Sequence, residues 1–588
     1  MADPEIELPM TSSQLALDDQ PSGIRTRPTN PDDVFRNASE DPTFAAFPTS
    51  DEKYNEKSDN EALSEDDEQE PGDIVYHYLT FSTELPNPTT IYPTREDQET
   101  PPHPPDLVKF TSPFEWPNSR KRVIIWVSCV ITALTAFTAG AYSPGVGQMT
   151  EEWHISNVAA LVGITTFTSG FAIAPMVLAP FSEINGRRPV FIASGILFVI
   201  CQLCTGLTRS YAGMLVVRFF VGVGGSTFST MVGGIVSDIY HTEDRNTPMA
   251  LFSGAALFGT GWGPLVCGFI AQNTTWRWIF YVQTITCGSV VALICIIFKE
   301  TRGSVLLSRK ARALNKWYEA REAAGYYCFN MPDPSGSGGL VSQRIRWKVK
   351  ADEERSSISK MIAISLYRPF HLLVTEPVVF WFSLWVAFSW AVLYLTLAAI
   401  PLVYQRNHGF SLQQANAVFA AMCVGSIIAT FLSIYQEKIA KKYGKLASTP
   451  EGRLYFACVE SACMPIGLFM FGWTSFPDIH WVVPAIAISI ATIGIFAIYL
   501  AVFNYLADTY HRYASSALAA QSFCRNMLGG VFPLITTQMY NRLTFGGASS
   551  LLGGIGTLLT LVPWILVFYG PRIRARSKFA SEIMDVTA

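Results

Sequence analysis

Three ionisable residues stand inside long apolar runs: Arg218, Glu460 and Arg525. A charge at bilayer depth costs at least about 2.5–3.5 kcal/mol, so each is a candidate for ion or proton chemistry. A carboxylic acid in that setting can carry a proton, and Glu460 is read so, the alternative being a neutral or ion-paired packing residue. Arginine keeps its proton. Arg218 would therefore act on a neighbouring acid or a bound water, or else serve as a structural cation on helix carbonyls. A second group, Glu183, Gly186, Arg187 and Arg188 with Asp238, mixes both signs of charge at helix ends. Such pairs are easily remade, which suits a latch; the plainer reading is anchoring by the two arginines. A third group, Gly259, Gly263 and Gly268 with Pro264, allows close helix approach and a kink and is read as the tight contact between lobes that seals one side against proton leak, the alternative being ordinary helix packing. Tyr142, Tyr394 and Asn504, with Arg525, are the candidate substrate-lining residues, since aromatic faces hold apolar rings. Trp381 and Trp385 are read as interface residues.

Other chemistries are missing. There is no Gly-x-x-x-x-Gly-Lys-Ser/Thr phosphate loop, no His pair, no Cys-His arrangement and no pair of carboxylates within one run. Eleven cysteines show no metal or disulfide spacing. ATP-driven pumping, an intramembrane enzyme, a metal centre and a bound cofactor are not expected, nor is a nucleic-acid partner.

What must position these residues is set by the charge distribution. Of 588 residues 49% are hydrophobic and 15% charged, well below the roughly 25% of a soluble domain. Residues 1–115 hold 26 Asp/Glu and 7 Lys/Arg, the remainder 21 and 36. The first segment, rich in Pro, Ser and Thr, is expected to be a disordered acidic tail without a signal peptide.

A bilayer core needs about 20 apolar residues per helix. Twelve runs qualify: 122–145, 157–180, 189–208, 212–235, 247–271, 276–298, 374–403, 413–434, 454–473, 481–507, 514–540 and 548–570. The expected fold is all-α and integral to the membrane, with two six-helix lobes (116–298 and 374–570). A basic linker (299–373) joins them, and a basic tail (571–588) follows. About 30 Lys/Arg fall on the tail side of the runs and 4 on the other, so the termini and linker are expected in the cytosol. Gly259, Gly263 and Pro264 in run five echo Gly529, Gly530 and Pro533 in run eleven, as a parallel repeat would.

Between runs two and three, Ala179 to Pro189 (APFSEINGRRP) resembles the signature loop of the major facilitator superfamily, with Ala179 for its Gly and Glu183 for its Asp. Arg218-x-x-x-Gly222 resembles the signature of proton-driven members. Gly259-x-x-x-Gly263-Pro264-x-x-Cys267-Gly268 resembles that of antiporters, with Cys267 for a Gly. Trp276 to Phe280, Glu300-Thr301, Pro450 to Leu454 and Asn504 to Asp508 resemble the fungal twelve-span drug:proton antiporters. The resemblance implies a plasma-membrane (or vacuolar) exporter of hydrophobic or cationic small molecules, working as a monomer in the bilayer by exchange with protons. It implies that Arg218 influences proton transfer and that Glu183 and Arg187 latch the outward-facing state. A polyamine or other metabolite carrier is the alternative within transport; a non-transporting membrane sensor is the alternative outside it.

Overall fold

A backbone in lipid must satisfy its own hydrogen bonds, so the apolar runs become helices. The computed structural model describes residues 73–88, 101–241, 244–326, 328–332, 340–353, 358–443, 450–510, 513–577 and 579. All belong to one unit, residues 64–583; the expected tail before residue 73 and the last nine residues lie outside the described residues. The first lobe comprises α1 (Asn118–Gly140), α2 (Asn157–Asn185), α3 (Arg187–Leu207), α4 (Tyr211–Ile239), α5 (Asn246–Asn273) and α6 (Trp276–Ile297). Serine hydroxyls start two of them: Ser156 Oγ accepts from the Ala159 N–H and Ser210 Oγ from that of Gly213, as N-caps do.

Two linker helices follow, α7 (Gly303–Ala323) and α8 (Ile358–Thr375). The second lobe comprises α9 (Pro377–His408), α10 (Ala420–Tyr443), α11 (Leu454–Glu460), α12 (Cys463–Thr474), α13 (Val482–Tyr510), α14 (Ala514–Leu559) and α15 (Leu561–Arg576). Eleven helical stretches among the described residues are long and apolar enough to cross a bilayer. The last, Ala514–Arg576, has 63 residues. Straight, it would be about 95 Å long at about 1.5 Å per residue, three times the hydrocarbon core. Thr544, at φ 65° and ψ 169°, breaks it into two arms. Counting the arms separately is consistent with the twelve expected crossings. The lobes meet where α2 packs on α14 and α10 on α5.

On the linker side the structure departs from the reading of a plain tail and a plain linker. Strand β1 (Val75–Tyr78) pairs in parallel with β4 (Ile345–Lys348), with Val75 opposite Ile345, while β2 (Phe329–Pro332) and β3 (Leu340–Gln343) form an antiparallel pair. Leu79, Leu314, Tyr318, Phe329, Ile345 and Trp347 make a separate small core against α7. The tail therefore contributes a strand to a folded module with the linker. Glu322 fastens it: its carboxylate accepts from both Arg344 (2.9 Å) and Arg346 (2.7 Å). Partial burial works against the Glu322 charge, but these two arginines outweigh it and hold the carboxyl down at about 2.

Candidate functional site

Arg218 sits about two turns into α4, wholly buried. The α4 segment carries Gly222 and Gly224, which let α2 and α3 come close: a Cβ at Gly222 would stand 2.0 Å from the Phe167 carbonyl oxygen. The guanidinium lies 4.7 Å from the ring centres of both Tyr142 and Phe167. Its Nε donates to the Gly163 carbonyl at 3.3 Å, while Nη1 and Nη2 have no partner among the described residues. Tyr142 donates its hydroxyl to the Ala160 carbonyl. It thus braces Arg218 and is not among the cavity-lining residues expected of it, because its ring is held inside the first lobe.

The second lobe repeats the arrangement. Arg525 on α14 is 3% exposed and lies 4.5 Å from the Trp390 ring centre and 4.9 Å from that of Tyr499. Nη2 reaches Ser522 Oγ at 3.4 Å; Nε and Nη1 have no partner among the described residues. Tyr394 of α9 is within electrostatic reach of both guanidinium groups. Each arginine thus lies against two rings and keeps N–H donors without a partner among the described residues.

Between them lies a cavity walled by both lobes: Thr132, Thr135, Phe167, Phe171 and Thr260 from one, Trp390, Tyr394, Arg525 and Asn526 from the other. The space open to water centres is about 30 Å³, room for about two waters. No carboxylate lines it. The lobes touch toward both ends of it. On one side Thr247 donates to Glu437 (2.5 Å), Asn504 donates to Asn246 (3.0 Å), and Phe503 packs on Gly233. On the other Ser143 donates to the Leu397 carbonyl at 2.7 Å.

Asn504 is therefore corrected from a cavity residue to a lobe-to-lobe contact near α5's start. Glu460 is also elsewhere: it ends α11 and accepts from Gln436 of α10, apart from the cavity's walls. Trp385 is wholly buried, unlike the exposed Trp381, so only the latter fits the interface reading. The glycine group splits. Cβ atoms at Gly259 and Gly263 would meet the carbonyl oxygens of Ala133 (2.1 Å) and Phe137 (2.4 Å) on α1 of the same lobe, and Pro264 lies against Gly140 there. Gly268 instead meets Asn416 of the other lobe, 2.4 Å away at Cβ, as Gly254 meets Thr430 and Gly261 meets Met422. Nine residues separate Gly259 from Gly268, two and a half turns, so they face opposite ways.

The charged cluster forms as a unit at the ends of α2 to α4. Arg187 Nε bonds Asp238 at 3.2 Å, Nη1 donates to Ser182 at 2.8 Å, and Nη2 lies 3.8 Å from Glu183. Arg188 Nη2 donates to the Cys295 carbonyl. Two residues not selected as site residues complete it. Glu300 Oε1 accepts from the backbone N–H of Arg187 (2.8 Å) and Arg302 (3.0 Å), and Oε2 from that of Arg188 (3.2 Å). Arg302 itself bonds Asp238 at 3.1 Å. A carboxylate at the start of α3 is placed where free N–H groups converge. The adjacency of Glu300 to a run's end was the available signal. Across the second lobe, Glu451 pairs with Arg574 at 2.7 Å.

Residues 128–533 match the family model of the Major Facilitator Superfamily. The MFS-type transporter paaT of Penicillium rubens is 34% identical over 474 residues, 79% of this chain and 82% of that one. The multidrug transporter FLR2 of Candida glabrata is 30% identical over 493 residues, 81% of this chain and 80% of that one. Among solved structures, the xylose transporter XylE of E. coli, in a partially occluded inward-open conformation, aligns with a TM-score of 0.53 at 14% identity, covering 76% of this chain and 98% of that chain. That likeness is one of fold.

Proposed function

The chain belongs to the major facilitator superfamily, and on that premise we propose that it is an efflux pump. It moves hydrophobic small molecules outward by alternating access, exchanging them for protons. The observation that carries the reading is the central cavity, walled by both lobes, with lobe-to-lobe hydrogen bonds on either side of it. Rocking of the lobes opens it to one side at a time. Relatives named as multidrug transporters and efflux pumps support the outward direction. The pump resides in the plasma membrane as a functional monomer, with termini and linker in the cytosol. Each proton entering through 100 mV supplies about 2.3 kcal/mol, roughly fifty-fold accumulation of substrate. Arg218, whose Nη1 and Nη2 have no partner among the described residues, acts on proton transfer through bound water. The paired clusters at Asp238 and Glu451 hold each lobe's helix ends as the lobes rock.

The test is expression of the whole chain in yeast lacking its own pumps. Cells loaded with fluorescent dyes should lose them faster than vector controls, and a protonophore should slow the loss. Equal loss with and without the chain, across dyes of all charges, would overturn the efflux reading. Loss unaffected by the protonophore would remove proton exchange alone.

A further inference from the structure

The two central arginines bear on what is carried, an inference that rests on the efflux reading above. Both are more than nine-tenths buried, and four of their six N–H-bearing nitrogens have no acceptor among the described residues. Among the described residues no Asp or Glu accepts from their unpartnered nitrogens, and none lines the cavity. Buried cations are normally paired, since stripping one of water without a counter-charge is expensive. Ring faces compensate only in part. The rings of Tyr142 and Phe167 lie against one guanidinium and those of Trp390 and Tyr499 against the other, and neither set supplies an acceptor for the unpartnered N–H groups. A buried guanidinium with unused N–H donors receives an oxyanion through charge-assisted hydrogen bonds, and Arg525 offers Nε and Nη1 for them while Arg218 offers Nη1 and Nη2. Arg525 lines the cavity directly, and Arg218 stands behind Phe167, one of its walls.

We propose that the cargo is a hydrophobic organic carboxylate, carried as the anion. Its carboxylate is received by the unpartnered N–H groups of Arg525, beside Tyr394 and in the field of Arg218. Its apolar body lies against Trp390, Phe167 and Phe171. A free inorganic anion would make poor use of those rings, and a cation would meet two like charges with no carboxylate to offset them. In this conformation the cavity admits about two waters, so the cargo takes its place as the lobes part.

Two xanthene dyes of similar body and opposite charge, fluorescein (a carboxylate) and rhodamine 6G (a cation), separate the possibilities. Binding to the purified full chain is read by fluorescence anisotropy, and export by dye loss from expressing cells. Fluorescein should be bound and exported. Arg525→Gln should lower the fluorescein-to-rhodamine ratio about tenfold or more in both assays, the loss expected of a charge-assisted pair, and Arg525→Lys should restore part of it. The ratio is insensitive to the fraction of chain that folds. Rhodamine handled while fluorescein is neither bound nor exported, or a ratio unmoved by Arg525→Gln, overturns the proposal and leaves the efflux reading standing. Fluorescein binding that depends on Arg525, with no dye exported, sinks the efflux reading and keeps the anion site.

Discussion

At Gly186 the backbone turns with φ 100°, and a Cβ would stand 2.2 Å from Glu300 Oε2. The residue must be glycine twice over, for its conformation and for the carboxylate beside it. Gly186→Ala should lower the thermal midpoint of the purified chain. Glu300→Ala should lower it too, through a loss of stability on the order of 1–3 kcal/mol, since several N–H groups lose a charged acceptor. An unchanged midpoint in both would show that the cluster does not hold the first lobe. Glu460 makes the contrary prediction. It bonds Gln436 away from the cavity, so Glu460→Gln should keep dye efflux within about twofold; abolished efflux in normally folded protein would restore it as the proton carrier. Glu322 sets a pH window. Its folded value, about 2, lies below the ordinary 4.5, so its stabilisation is full above that ordinary value and fades as pH falls from about 4.5 to about 2. Trp347 fluorescence should report loosening of the module over that range, and Glu322→Gln should flatten the change. Gly186, Arg187 and Asp238 were legible because a polar loop between apolar runs stands out. The facings of Glu460 and Asn504 were not, since their helices are apolar nearly all round and offer no stripe to orient them.

Helix α5 shows the same division at the scale of the element. One face, Gly259 and Gly263, lets α1 lie against it inside the lobe; the other, Gly254, Gly261 and Gly268 at seven-residue spacing, meets the opposite lobe. Alanine should act differently on each. Gly263→Ala drives a methyl into a backbone carbonyl that cannot swing away, so it should destabilise the lobe, read as a lower thermal midpoint. Gly268→Ala presses on Asn416 across the seam, so it should leave the lobe folded and shift the lobes toward separation. Spin labels placed on the two lobes would read that shift as a longer distance. Equal effects of both substitutions would contradict the two-faced helix. The sequence shows the small residues but not the facing of Gly268, because the nearest pattern, i and i+4, covers one face only. Helix α14 is likewise legible as apolar length, and its reversal rests on the single residue Thr544.

Across the whole molecule, transport requires the seam between Thr247 and Glu437 to open. Joining Thr247→Cys and Glu437→Cys with a short thiol cross-linker that reductant cleaves should stop dye efflux, and reductant should restore it. Efflux that persists through complete cross-linking would show that the lobes do not part there. By itself the sequence determined that the chain crosses a membrane many times in two sets of helices, and that a charged cluster forms at the ends of α2 to α4. Those features depend on local averages: the hydropathy of about twenty residues against the bilayer's thickness, and short polar loops between runs. Only the tertiary structure decided which helix face each buried group presents, that two ring-clasped arginines flank one cavity, and that β1 joins a strand some 270 residues later. These depend on contacts between segments far apart in the chain, and neither hydropathy nor spacing along one helix carries that information.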